Sequence, residues 1–300
     1  MSSNSGILWV VATPLGNLGD LSPRAREALS GSHRILAEDT RRAGLLLARC
    51  GLRSPGFLSL HEHNEEKRLP LALDLLKNGH NLALISDAGT PLLADPGYRL
   101  VRACRREGLR VSPLPGPSAP AAALSACGIA PMPFAFLGFA PRRVSDREAF
   151  FAPYARLCLS LVFFERKNRI KDCLCVALRV LGKREACLAR EMTKTHEEFI
   201  SFSLEDFANL PQDLPGEITV IIGPPLEEKG VPPEDLDRLI EEEAKAGFGA
   251  RETAKRVRKR AGKGTAKEIY RRVRNLVPNP EGETGEDDAK PGEKANSDSR

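Results

Sequence analysis

Short apolar runs alternate with amphipathic stretches over the first 115 residues of the chain. Runs at 7–13, 33–39, 56–60, 81–87 and 110–115 predict strands, and apolar positions recurring at helical spacing over 22–29, 40–50, 65–77 and 95–107 predict helices between them. The fourth run is apolar from Leu82 through Ile85, which suits a parallel strand covered on both faces. Repeated strand–helix–strand units need right-handed crossovers, so the expected architecture is an open, doubly wound parallel sheet.

Pro113, Pro115, Gly116, Pro117 and Pro120 then break the pattern and read as a stiff connector. A second α/β region follows, with strands expected at 134–139, 157–165, 185–191, 198–203 and 217–223 and a helix at 167–181. Residues 198–203 alternate as an antiparallel, half-exposed strand would, so the second sheet should be mixed. The expected fold is therefore α/β: an N-terminal domain over 1–115 and a second domain over 116–226, with a cleft between them suited to a small molecule. Three further helices are expected at 235–246, 251–260 and 265–276.

The chain has 300 residues, 41% of them hydrophobic, whereas a single core rarely grows past about 250 residues. No apolar run approaches the roughly 18 residues of a membrane span. No basic segment precedes the short apolar run at 7–12, which argues against a signal peptide. Seven cysteines without framework spacing agree with a reducing compartment, and the expected location is cytoplasmic. The Cys173-x-Cys175 pair has no second pair to complete a zinc site, and no metal is expected.

Charge changes the picture at the C-terminal end. Residues 227–243 hold 2 basic and 8 acidic side chains, and residues 250–274 hold 11 basic and 2 acidic. Residues 281–300 hold 3 basic and 7 acidic with no apolar side chain larger than Ala, too little apolar surface to offset the entropy of ordering. A basic helix-turn-helix-like extension over 227–278 and a disordered acidic tail over 279–300 follow. In the extension Ala254, Val257 and Ala261 keep one face small and apolar while Lys255, Arg258 and Lys259 belong to a basic remainder suited to nucleic-acid phosphates.

Ligands of open parallel sheets bind beyond the carboxyl ends of the strands, where this chain carries polar, glycine-containing turns. They are Thr13-Pro14-Leu15-Gly16-Asn17-Leu18, Ala37-Glu38-Asp39-Thr40-Arg41-Arg42, Ser86-Asp87-Ala88-Gly89-Thr90-Pro91 running on to Asp95-Pro96-Gly97, and Pro115-Gly116-Pro117-Ser118-Ala119. None is a G-x-G-x-x-G or Walker loop, so nucleotide phosphates are not their obvious target.

These motifs, with Leu60-His61-Glu62-His63-Asn64-Glu65 and Ala189-Arg190-Glu191-Met192-Thr193-Lys194-Thr195, resemble the tetrapyrrole-methylase superfamily over residues 6–223. More narrowly, they are similar to its branch of small-subunit ribosomal RNA methyltransferases. The resemblance implies two α/β domains that bind S-adenosylmethionine in the cleft between them, a homodimer, and 2′-O-methylation of a cytidine in the decoding centre of 16S ribosomal RNA. The cofactor positions it implies are Leu15, Gly16, Asp87, Ala88, Gly89, Thr90, Ser118 and Ala119, with Phe164 and Ala189 from the second domain. RNA contacts are expected from Arg41, Arg42, His61, His63 and Asn64, and from Lys255, Arg258 and Lys259 in the extension. Glu165 and Arg169, also expected to contact RNA, match a Glu-Ser/Ala-Pro/Thr-His-Arg run of relatives, but Arg166-Lys167-Asn168 between them does not.

A ribose hydroxyl is a poor nucleophile while protonated, so a proton acceptor should assist it. Asp39, Glu191 and Lys194 are the candidates; equally, Asp39 could cap the helix starting at Thr40, and Glu191 could pair with Arg190 or Lys194. His61 and His63 could share a strand face as metal ligands, yet nothing nearby completes a site. Two other readings stay open: a methylase of a tetrapyrrole or other small molecule, and a non-catalytic RNA-binding assembly factor. The basic extension speaks against the first and the intact Asp87–Thr90 turn against the second.

Overall fold

The computed structural model describes residues 5–211, 214–226, 233–260 and 266–276 of the chain. Strands β1 (Ile7–Val11), β2 (Arg34–Ala37), β3 (Phe57–Ser59), β4 (Leu82–Leu84) and β5 (Arg110–Leu114) form one sheet in the order β3-β2-β4-β1-β5. Every pairing in it is parallel, as the apolar runs require. Helices α1 (Pro23–Gly31), α2 (Thr40–Arg49), α3 (Glu65–Lys77) and α4 (Tyr98–Arg106) make the crossovers. Ser22 caps α1, with Pro23 at its first position, and Asp39 caps α2. Successive β4 side chains face opposite layers: Leu82 and Leu84 pack with Leu76, Leu100 and Cys104, whereas Ala83 and Ile85 pack with Leu29 and Leu47.

The order of strands fixes where a ligand can enter. β1 leads through α1 towards β2 on one side, while its neighbour β4 leads through α4 to β5 on the other. Connections diverging from two adjacent strands leave a crevice at their carboxyl ends, the switch point of an open α/β sheet.

The second sheet has β6 (Phe134–Phe139), β7 (Ser160–Arg166), β8 (Glu185–Arg190), β9 (Glu198–Ser203) and β10 (Glu217–Ile222) in the order β6-β7-β10-β8-β9. It is mixed: β6 runs parallel to β7, and the remaining pairs are antiparallel. Helix α5 (Ala119–Ala126) covers one face, and α6 (Val144–Phe151) and α7 (Ile170–Leu181) the other. Two sequence expectations need correction. The proline-rich segment is not only a connector, because Pro113 pairs with Val10 inside β5 and Pro120 sits in the first turn of α5. A proline is tolerated in β5 because that strand is a sheet edge. Helix α6 was not expected at all.

Both sheets fall in one compact unit that ends at Leu226. In the second unit α8 (Pro233–Ala244), α9 (Ala250–Arg260) and α10 (Ala266–Leu276) close around Ile240, Val257, Ile269 and Val273. The expected tail at 279–300 and the side chain of Lys259 lie outside the described residues. Among the described residues no helix is long and apolar enough to cross a membrane.

Candidate active site

Three strand tips of the first sheet interlock through their main chains. Thr13, fully buried after β1, and Gly89, in the turn after β4, exchange both amide–carbonyl hydrogen bonds at 2.9 and 3.0 Å. The junction spans the switch point between β1 and β4. Gly89 has φ +81°, and a Cβ there would also press on Leu15 at 3.2 Å, so both conformation and space call for glycine. Ser86 Oγ donates towards the Ala88 and Gly89 carbonyls, and Thr90 Oγ1 donates to the Pro117 carbonyl at 3.0 Å, tying this turn to the one after β5. A Cβ on Gly116 would lie 3.0 Å from that of Ala12. Seven of the expected cofactor positions, Leu15, Gly16, Asp87 to Thr90 and Ser118, thus sit on three adjoining turns, with Ala119 opening α5.

The second sheet reaches the same place. Thr193, in the turn after β8, accepts a hydrogen bond from the Asn17 amide at 3.1 Å. Lys194 lies across Gly16, where any Cβ would overlap its side chain. Phe164, Thr219 and Ala189 form one register row across β7, β10 and β8, on the face covered by α5. Glu191 and Thr193 both have positive φ, +49° and +65°, a strain of about 1–3 kcal/mol per residue that clusters at functional sites.

The expected proton acceptors are held in other ways. Asp39 accepts from the Arg41 and Arg42 amides at 2.9 and 3.3 Å, and these hydrogen bonds keep its carboxyl below the usual carboxylate range. Glu191 is pushed up by burial, but the Lys194 hydrogen bond and charge, the Glu217 amide and Arg190 outweigh this and leave it low. Gly216 makes room for that carboxylate. Asp95 behaves oppositely. Burial, then the charges of Glu38 and Asp87, push its carboxyl up to about 6 against a lowering hydrogen bond from Ser86. The Asp95-Pro96-Gly97 motif shows no role for Asp95 on its own; its signal is the meeting of three acidic side chains, which only the fold brings about.

The other expected contacts divide. Arg42 pairs with Asp87 at 2.9 Å, and Arg41 is exposed beside Asp39. His61 and His63 stand near each other, ring centroids 6.1 Å apart, on a turn held by Asn64 Oδ1 accepting from the His61 amide. Among the described residues no cluster of His, Cys, Asp or Glu could hold a metal. Glu165 departs from the expectation of an RNA contact: it is buried between Arg147 and Arg169, with no solvent-facing carboxylate. Breaking such a buried arrangement typically costs about 3–5 kcal/mol, so it acts in folding and in holding Arg169. Arg147 was missed because α6 was missed.

In the second unit Arg256 and Arg260 both pair with Glu243 at 2.8 Å, and Arg272 pairs with Asp237 at 3.0 Å. Lys255 sits only 3.9 Å from Glu252, and Arg251 and Arg258 are exposed with no ion pair among the described residues. Among the described residues the cations most open to an anionic partner thus include Arg251 and Arg258, with Lys255 held only loosely by Glu252.

A methyl donor such as S-adenosylmethionine needs acceptors for its ammonium and ribose hydroxyls and donors for its carboxylate. Among the described residues the amides of Asp87, Ala88 and Thr90 have no hydrogen-bond acceptor, and the Asp87 carboxylate stands beside them. These groups fit such a molecule, and a bare Cα at Gly89 lets it approach the main chain. Cavities of about 740 and 240 Å³ lie elsewhere, beside α4 and α1.

A family profile described as Tetrapyrrole (Corrin/Porphyrin) Methylases matches residues 8–208. Among individual proteins, the chain is 41% identical over 273 residues to the ribosomal RNA small subunit methyltransferase I of Mesorhizobium japonicum, covering 90% of this chain and 92% of that one. It is 44% identical over 227 residues to the Haemophilus influenzae protein of the same name, covering 74% and 80%. Among solved structures, diphthine synthase superposes with a TM-score of 0.58 at 14% identity over 73% of this chain and 90% of its own. Uroporphyrin III C-methyl transferase from Thermus thermophilus gives 0.53 at 20% identity, over 73% and 97%. At these identities the solved structures speak for the fold alone.

Proposed function

Since the chain belongs to the tetrapyrrole (corrin/porphyrin) methylase family, and within it to the ribosomal RNA small subunit methyltransferase I group, we propose that it methylates the 2′-hydroxyl of a cytidine in 16S ribosomal RNA, with S-adenosylmethionine as donor. The observation that carries this reading is the Thr13–Gly89 junction, which holds unpaired amides and Asp87 at the switch point. When bound, the cofactor supplies an electrophilic methyl on a sulfonium. The turns after β1, β4 and β5 bind and orient it, with Ser118 and Ala119 at the start of α5. Ala189 and Phe164, in the row with Thr219, form the wall on the second sheet. Holding donor and hydroxyl in line supplies much of the rate.

Asp95 takes the hydroxyl proton. Of the carboxylates at this edge, Asp39 and Glu191 hold protons weakly, whereas Asp95 holds one up to about pH 6 and is ionised near neutral pH. Asp39 positions Arg41 and Arg42 through the start of α2, and Glu191 positions Lys194. Arg41, His61 and His63 face the RNA, and Arg251, Lys255 and Arg258 meet its phosphates. The assembly this reading carries is a homodimer acting on RNA within the small subunit.

The test uses labelled S-adenosylmethionine and small subunits lacking the modification. The expected result is one labelled nucleotide whose 3′ phosphodiester resists alkali, because the alkylated oxygen can no longer attack the phosphate. Label on a base, or none on RNA, contradicts the reading.

A further inference from the structure

Helix α4 buries Leu100 and Cys104 and turns Tyr98, Arg102 and Arg106 outward. These three stand at i, i+4 and i+8, a stripe about 12 Å long at 1.5 Å per residue. The stripe borders an open groove of about 740 Å³ between α3 and α4. The groove also holds two acids, and both are spoken for: Glu66 pairs with Arg99, and Glu107 with Lys77 at 2.6 Å. Arg102 and Arg106 make no ion pair among the described residues; the Arg102 guanidinium instead stands 6.0 Å from the ring of Tyr98, a residue 61% exposed. The helix dipole accounts for a cation at the last turn, Arg106. It accounts for neither Arg102 nor an exposed tyrosine.

Position gives the groove its meaning. Helix α4 starts directly after Gly97, at the end of the segment that carries Asp87 and Asp95, and α3 starts directly after Asn64 in the His61–His63 turn. Its mouth therefore adjoins the strand-tip edge, and the stripe leads away from it.

We propose that the α3–α4 groove is a second RNA site, which holds the single strand flanking the methylated nucleotide, with one base stacked on Tyr98 and phosphates on Arg102 and Arg106. Two unpaired guanidiniums and an aromatic face are the chemistry that grips a single strand without reading its sequence. The inference rests on the reading that RNA is the substrate.

The experiment compares the full-length wild type with Tyr98→Ala, the double variant Arg102→Glu/Arg106→Glu, and Arg24→Glu, a charge reversal in the separate groove beside α1. Methyl transfer to unmodified small-subunit RNA gives kcat and KM, calorimetry gives the affinity for S-adenosylmethionine, and sedimentation gives the oligomeric state. In Tyr98→Ala and in the double variant, KM for RNA should rise about tenfold, with kcat and cofactor affinity unchanged. Arg24→Glu should stay within about twofold of wild type. An unchanged KM in both groove variants overturns the site, as does an equal rise in Arg24→Glu. A changed oligomeric state with unchanged KM gives the groove to a protein partner and also overturns it. A wild type that methylates no RNA defeats the functional reading itself, and the groove site falls with it.

Discussion

The strand tips of the first sheet and the helices after Pro233 hold their polar groups by opposite means. At the tips the main chain does most of the holding: Thr13 and Gly89 exchange backbone hydrogen bonds, the Thr90 hydroxyl is tied to the Pro117 carbonyl, and a Cβ at Gly116 would press on Ala12. In the C-terminal unit side-chain charge does it, with Glu243 neutralising Arg256 and Arg260 while Arg251 and Arg258 stay exposed. The first arrangement is insensitive to salt and intolerant of a methyl group. The second leaves exposed cations on its surface and answers to ionic strength. A small cofactor needs the former and a polyanion the latter.

The sharpest way to break this contrast is Asp95→Asn, at the tips. Turnover should fall roughly a hundredfold, the usual scale for a proton acceptor, with cofactor affinity kept. Stability should move the other way. Because Asp95 is held up to about 6 in the folded chain, its own contribution is most favourable below about pH 4, where the carboxyl is neutral whether folded or not, and is lost as pH rises through 6. The variant should melt above the wild type at pH 8, and the two should converge at pH 4 in thermal scans.

Gly89→Ala comes next. Its φ of +81° and the Leu15 contact would strain the turn by about 1–3 kcal/mol. Calorimetry should show S-adenosylmethionine binding about tenfold weaker, equally at low and high salt. Normal affinity in Gly89→Ala would mean that the cofactor does not depend on this turn.

The smallest effect belongs to the helices. Arg251→Ala with Arg258→Ala should flatten the slope of log affinity for RNA against log salt by about 0.7–0.9 for each lost phosphate contact. Cofactor binding should not change. A slope equal to that of the wild type would show that these two side chains meet no phosphate.

How much of this was legible in the sequence follows from the range of the interactions. The strands of both sheets were visible because burial on one or both faces writes itself into apolar runs; the ends differ for several of them, as at 81–87 against Leu82–Leu84 and 157–165 against Ser160–Arg166. Helix α5 was hidden by its composition: Ala119–Ala126 is small and apolar all round, so it shows no helical stripe. The strand-tip turns could be read as ligand loops because glycine and proline mark local conformation. The contact between Asn17 and Thr193, 176 residues apart, leaves no local mark, and neither does the burial of Glu165 against Arg147. Asp39 shows the middle case, in which one carboxylate suits a cap and a base equally until the amide hydrogen bonds are seen.

The most direct test of the strand-tip site is amide hydrogen exchange of the wild type with and without S-adenosylmethionine. Protection should appear in the peptides carrying 13–18, 86–90 and 115–119, and in the turn at 191–195, and be absent from α8 to α10. Tight binding of the cofactor with these four segments exchanging as before, and protection elsewhere, would contradict the account.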